Sequence, residues 1–335
     1  MSLADTIKGV VGMDPTEHAD ADMKDVLNAF ESLNPKPIED CTPDEARQQP
    51  TVTDAVVKLM QERGITPPPA VQQVQTQDIM IPGAAGENPA RVYKPAGEGP
   101  FPVILYFHGG GFVFADIDVY DATPRSIAAQ TNAIVVSAHY RQAPEHKFPA
   151  SHEDAFAAWK WIVDHAASLG GNPARIAVMG ESAGANLAVN VAIYARDAGL
   201  QLPLHQALVY PVASNNVMSI SYEENRNAKP LNKPMMLWFV DHLINQKTDL
   251  KNPLIDVVSA DLHGLPPATV VTAGIDPLRS DGEKLADQLR GAGVEVEIQN
   301  YQGATHEFFG MATVVQAARD AQAFVVQAQK RYLGR

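Results

Sequence analysis

From Val74 onward the chain alternates short runs dense in β-branched and aromatic residues with longer stretches whose apolar positions recur at helical spacing. The strand-like runs are VQTQDIMI, ARVYKP, the continuous apolar VILYF at 103–107, AIVVSA at 133–138, RIAVMG at 175–180, ALVY at 207–210, ATVVTA at 268–273 and VEVEIQNY at 294–301. They predict eight strands. Between the later runs lie the helical patterns DAFAAWKWIVDHAASL, with Ser151 expected as its cap, SAGANLAVNVAIYARDAG, GEKLADQLRGAG and TVVQAARDAQAFVVQAQKRYL. Strands alternating with helices imply an α/β fold, a mainly parallel eight-stranded sheet covered by helices on both faces.

Two stretches break this rhythm. Residues 1–70 read as helical and then as linker: Met23, Val26, Leu27 and Phe30 recur at helical spacing, as do Val52, Val56, Leu59 and Met60, before Pro67-Pro68-Pro69 stops the pattern. Residues 212–250, rich in Asn and Met, carry the helical run PMMLWFVDHLINQ between two core strands. The expected organisation is an N-terminal helical segment (1–70), a first core part (71–211), an insertion above the sheet (212–250) and a second core part (251–335). Met235, Met236, Trp238 and Phe239 of the insertion are candidate walls of a substrate pocket.

Composition narrows the class. With 45% hydrophobic and 19% charged residues in 335, the chain has the makeup of a globular protein rather than a disordered or fibrous one. A net charge of -13 would repel phosphate backbones and anionic headgroups, so neither nucleic acid nor a membrane is expected as a partner. The single cysteine, Cys41, excludes an internal disulfide or a thiolate metal cluster and suits a reducing compartment. The first 22 residues lack the pattern of a secretory signal, and no apolar run reaches the ~18 residues of a spanning helix. A cytoplasmic location is expected, with a homo-oligomer left open.

The chemistry lies where strands end. RIAVMG runs into Gly180-Glu181-Ser182-Ala183-Gly184 and at once into a helix, the strand, G-x-S-x-G, helix order of a nucleophile elbow. The order leaves Ser182 with its hydroxyl at a helix N-terminus, which favours developing negative charge. Upstream, VILYF ends in His108-Gly109-Gly110-Gly111-Phe112, a glycine loop of the kind that supplies main-chain N–H donors to an oxyanion. His108 is read as ordering that loop, with the role of base as its rival.

A nucleophilic serine needs a base and an acid, which follow it in this topology in the order Ser, acid, His. Of the downstream histidines, His205 precedes a strand, His242 lies in the inserted helix and His263 falls before the best acid, which leaves His306 in GATHEFFG. The acid is expected just past ATVVTAG, at Asp276; Asp281 is the alternative, or else the cap of the helix GEKLADQL. Glu307 adjoins the base and is not expected to orient it. No H-E-x-x-H or C-x-x-C spacing is present, and neither a metal nor a cofactor is expected.

These residues resemble the bacterial hormone-sensitive-lipase-like esterases of the α/β-hydrolase fold, through TPDEAR, HGGGF at 108–112, HYRQAPEHKFPA at 139–150, GESAGAN at 180–186, LPPATVVTAGIDPLR at 265–279 and the late histidine. The resemblance implies Ser182, Asp276 and His306 as triad, the N–H groups of Gly110, Gly111 and Ala183 as oxyanion hole, and a cap built from the N-terminal helices and residues 212–250. It also implies small-molecule esters of short to medium acyl length as substrates; Phe112, Met235, Trp238 and Phe239 are the residues expected to bind them. Three positions depart from the family's usual pattern: Glu181 for Asp, Ser280-Asp281-Gly282 for Asp-Glu-Gly, and His306-Glu307-Phe308 for His-Gly-Phe. The same triad would serve an enzyme acting on amides or lactones. A non-catalytic receptor of this fold, as in plant gibberellin perception, would lack the histidine that stands here at 306.

Overall fold

The computed structural model describes residues 14–334; residues 1–13 of the stretch read against a secretory signal lie outside that range. The eight expected strands form one sheet: β1 (Gln75–Gly83), β2 (Gly86–Lys94), β3 (Phe101–Phe107), β4 (Ile134–Ala138), β5 (Gly171–Glu181), β6 (Gln206–Val209), β7 (Ala268–Ile275) and β8 (Val296–Thr305). Their order is β1-β2-β4-β3-β5-β6-β7-β8. The β1–β2 and β2–β4 pairs are antiparallel, and β4 through β8 run parallel.

The helices of ten residues or more are α1 (Ala21–Ser32), α2 (Val52–Arg63), α3 (Ala122–Thr131), α4 (Ala150–His165), α5 (Ala183–Asp197), α6 (Lys233–Leu243), α7 (Arg279–Gly291) and α8 (Gln316–Leu333). Side chains of β3 alternate between two layers. Val103, Leu105 and Phe107 pack with Trp159 and Ile162 of α4, Leu187 of α5 and Leu285 of α7, whereas Ile104 and Tyr106 pack with Ile127 of α3, Val325 of α8 and Met23 of α1. Because both faces are covered, the run VILYF is apolar at every position. Burial of each such side chain is worth ~1.5–3 kcal/mol, so packing on the sheet rather than intrinsic propensity holds these helices.

The N-terminal segment is built by local signals. Thr51 caps α2 reciprocally with Asp54, and Gly64 ends it in the left-handed conformation (φ 62°) ahead of the proline run. Residues 212–250 hold the short helix Ile220–Glu224 as well as α6. Two boundaries differ from expectation. Ser151 does not cap α4: the amides of His152 and Glu153 already donate to the Pro149 carbonyl, so the helix begins at Ala150 and Ser151 is buried in its first turn. The helix α8 starts at Gln316 rather than Thr313, because Val314 and Val315 donate to the Met311 carbonyl in the preceding turn. Among the described residues no helix is long and apolar enough to cross a membrane.

Candidate active site

Sheet register brings the three residues of interest together. Glu181 ends β5, so Ser182 is the first residue beyond it, and Ile275 pairs with Thr305 across β7 and β8, so Asp276 and His306 leave neighbouring strands side by side. All three sit at the carboxyl edge of the parallel strands, where α/β sheets bind ligands. His306 Nε2 lies 3.0 Å from Ser182 Oγ, and Nδ1 lies 2.7 Å from Asp276 Oδ2. Asp276 Oδ1 accepts the Leu278 N–H at 2.8 Å, which fixes which carboxylate oxygen faces the imidazole. Burial disfavours the charged imidazole, but the hydrogen-bonded Asp276 carboxylate, with smaller contributions from Glu307 and Glu181, outweighs it and leaves the His306 pKa above its ordinary value.

Ser182 is held at φ 55° and ψ -117°, a conformation rare for a residue with a side chain. The flanking glycines make the turn possible. A Cβ on Gly180 would sit 2.1 Å from the Gly184 carbonyl oxygen, and one on Gly184 would sit 2.1 Å from that of Phe107. In the upstream loop, Gly110 is at φ 93° and its carbonyl accepts from Val113 and Phe114. The N–H groups of Gly110, Gly111 and Ala183 have no acceptor among the described residues. His108 is fully buried, with Nε2 3.0 Å from His139 Nδ1 and Nδ1 2.8 Å from the Gly109 carbonyl. Burial pushes its pKa down to about 3, so it is neutral and ties the loop rather than reaching the serine.

Several polar partners here had no signal in the sequence beyond an unusual residue. Glu181 is buried and accepts from Tyr106 Oη at 2.6 Å and from Tyr210 Oη. The Tyr210 ring lies 4.5 Å from that of His306. Glu307 does not touch the imidazole nitrogens; its Oε1 accepts from Tyr120 Oη at 3.2 Å. Tyr106 stands on β3 and Tyr210 directly follows β6, the strands flanking β5, and only the sheet order shows that they meet Glu181.

Asp281 caps nothing. It lies inside the first turn of α7, buried, and its Oδ2 accepts the N–H groups of Ala213 at 3.2 Å and Ser214 at 2.9 Å, tying the start of the inserted segment to the core. Burial pushes its pKa up to about 7. A carboxyl raised in the folded state stabilises fully below its unfolded pKa and loses that contribution as pH rises through the folded value. Asp281→Asn keeps an acceptor oxygen but does not titrate. Between about pH 4 and about pH 7 the wild-type protein should therefore lose stability relative to this variant, by on the order of 3–4 kcal/mol, as read from urea unfolding. Parallel stability curves for the two proteins would contradict this.

Ser182 and His306 open into a cavity of about 820 Å³. Gly110, Gly111, Phe112, Met235, Met236 and Phe239 line it, joined from the N-terminal segment by Phe30 and Val52. Trp238 does not. Its Nε1 donates to the Cys41 carbonyl at 3.0 Å and its ring packs on His242, on another side of α6 from Met235 and Phe239.

A family model described as alpha/beta hydrolase fold matches residues 104–310, which include the glycine loop, the elbow, Asp276 and His306. The chain belongs to this α/β-hydrolase family. It is 40% identical over 276 residues to the carboxylesterase NlhH of Mycobacterium tuberculosis, covering 80% of this chain and 86% of that one. With the esterase LipI of the same organism it shares 38% over 282 residues, covering 81% and 87%. A hyperthermophilic esterase from Pyrobaculum calidifontis superposes with a TM-score of 0.81 at 34% identity, over 91% of this α/β-hydrolase and 96% of the other. Likeness of this extent places the α/β-hydrolase among the hormone-sensitive-lipase-like members.

Proposed function

We propose that the protein is a serine carboxylesterase acting on short- to medium-chain carboxylic esters, with Ser182, His306 and Asp276 as its triad. The observation that carries this reading is the hydrogen-bonded chain from Ser182 Oγ through both ring nitrogens of His306 to Asp276, opening on a largely apolar cavity. The names of the relatives support the ester as the bond attacked.

In this mechanism His306 Nε2 takes the proton of Ser182 as Oγ adds to the ester carbonyl, and Asp276 stabilises the imidazolium. The N–H groups of Gly110, Gly111 and Ala183 receive the oxyanion, each donor being worth about 2.7–4 kcal/mol. His306 then gives its proton to the leaving alcohol. Water, deprotonated by the same nitrogen, releases the acid from the acyl-enzyme. On this reading the helices of residues 1–70 and 212–250 form a cap, since Phe30, Val52 and α6 wall the cavity above the serine.

The test is a series of p-nitrophenyl esters, from acetate to dodecanoate, run beside anilides and lactones. Turnover of the short and medium esters at rates well above those of the anilides and lactones is expected; the reverse ranking would favour an amide- or lactone-hydrolysing enzyme. Because His306 must be neutral to accept the serine proton, kcat/KM should fall as pH drops through the imidazole pKa. With that pKa raised, the acid limb is expected above the ordinary histidine value. A rate flat through that range would remove His306 as the base.

A further inference from the structure

The residue after the base is at φ 67° and ψ 4°, the left-handed region, where a side chain other than glycine's costs about 1–2 kcal/mol. At this position the chain holds a glutamate. Glu307 is half-buried and lines the same cavity as Ser182 and His306. Its one hydrogen-bond partner is the Tyr120 hydroxyl, and among the described residues no cation stands within ion-pair distance of it. The cations that line the cavity are engaged elsewhere: Lys229 with Glu31, Arg47 with Glu145 and Lys36 with Glu45. The His306 imidazolium, when it forms, already has Asp276 as counter-ion.

We infer that Glu307 is a specificity-determining residue that biases the pocket toward esters carrying a permanent cation, such as a quaternary ammonium group, over neutral esters of the same shape. The Glu307 carboxylate opens on a cavity whose lining includes Phe30, Val52, Phe114 and Phe239, and its partial burial is not offset by an ion pair with any lysine or arginine among the described residues; a cationic substrate supplies that charge where the low dielectric makes it count. Burial also holds the Glu307 carboxyl above the ordinary carboxylate range, against the opposing effects of His306 and of the Tyr120 hydroxyl. The inference rests on the ester-hydrolase reading above.

The test uses two matched pairs at pH 8 with the full chain. Acetylcholine against 3,3-dimethylbutyl acetate places the cation on the alcohol side; ethyl 4-(trimethylammonio)butyrate against ethyl 5,5-dimethylhexanoate places it on the acyl side. In at least one pair, Glu307→Gln should lower the cationic-to-neutral ratio of kcat/KM by about tenfold or more, the size expected for ~1.4 kcal/mol. The ratio cancels any effect common to both substrates, so a role for Glu307 only in supporting the imidazolium would leave it unmoved. Glu307→Gly, which relieves the backbone conformation while removing the charge, should lower the same ratio and covers the case in which the glutamine variant fails to fold. A ratio unchanged in both pairs overturns the inference. If the wild-type protein hydrolyses none of these esters, cationic or neutral, the ester-hydrolase reading fails first and takes the inference with it.

Discussion

Ser182→Ala is expected to lower kcat by at least about 10³-fold while the folded structure and its stability are retained. The alanine side chain fits within the space of the serine, and the φ and ψ of the elbow are imposed by Gly180, Gly184 and the helix that follows. What remains is the stabilisation supplied by the glycine-loop amides and by binding, which does not need the nucleophile. Ser214 also lines the cavity, but its Oγ accepts the Asn216 N–H at 3.2 Å and, among the described residues, makes no hydrogen bond to a histidine. A fluorophosphonate should accordingly label Ser182 alone, and peptide mass spectrometry that finds the adduct on Ser214 or another serine would defeat the assignment.

The parts of the site legible in the sequence are those carried by short stretches of chain. The elbow and the glycine loop each lie within five residues, and their strict need for small residues shows as Gly180, Gly184, Gly110 and Gly111. The alternation of strand and helix announced the sheet, and the order of Ser182, Asp276 and His306 along it narrowed the histidines to one. What periodicity could not give is which neighbour a buried face meets. Met235, Met236, Trp238 and Phe239 are all buried on α6, yet only three of them face the cavity while Trp238 faces the Cys41 segment. Asp281 departs from expectation for a related reason: the capping rule refers it to its own helix, whereas its partners lie 67 and 68 residues away in sequence. The tyrosines on Glu181 come from β3 and from the residue just past β6, so the glutamate alone gives no sign of what satisfies it.

Asp276→Asn should cost about 10⁴-fold in kcat with little change in geometry, and Asp281→Asn should leave kcat within a few-fold of the wild-type value. The difference follows from hydrogen-bond directions. At position 276 the oxygen that accepts the Leu278 N–H must remain an oxygen, so an asparagine turns its amide nitrogen toward His306 Nδ1. That nitrogen can only donate. Nδ1 must then be the acceptor, which moves the ring proton to Nε2, the atom 3.0 Å from Ser182 Oγ, where a base is required. The imidazole is held in the wrong tautomer, and it also loses the negative charge that would stabilise its protonated form. Asparagine at 281 faces two backbone N–H donors and still has an oxygen for them, so residues 213 and 214 stay tied down and the proposed triad is untouched. Steady-state kinetics of the two variants on one short ester decide between them: a large loss at 281 with near-normal turnover at 276 would move the acid to the other aspartate.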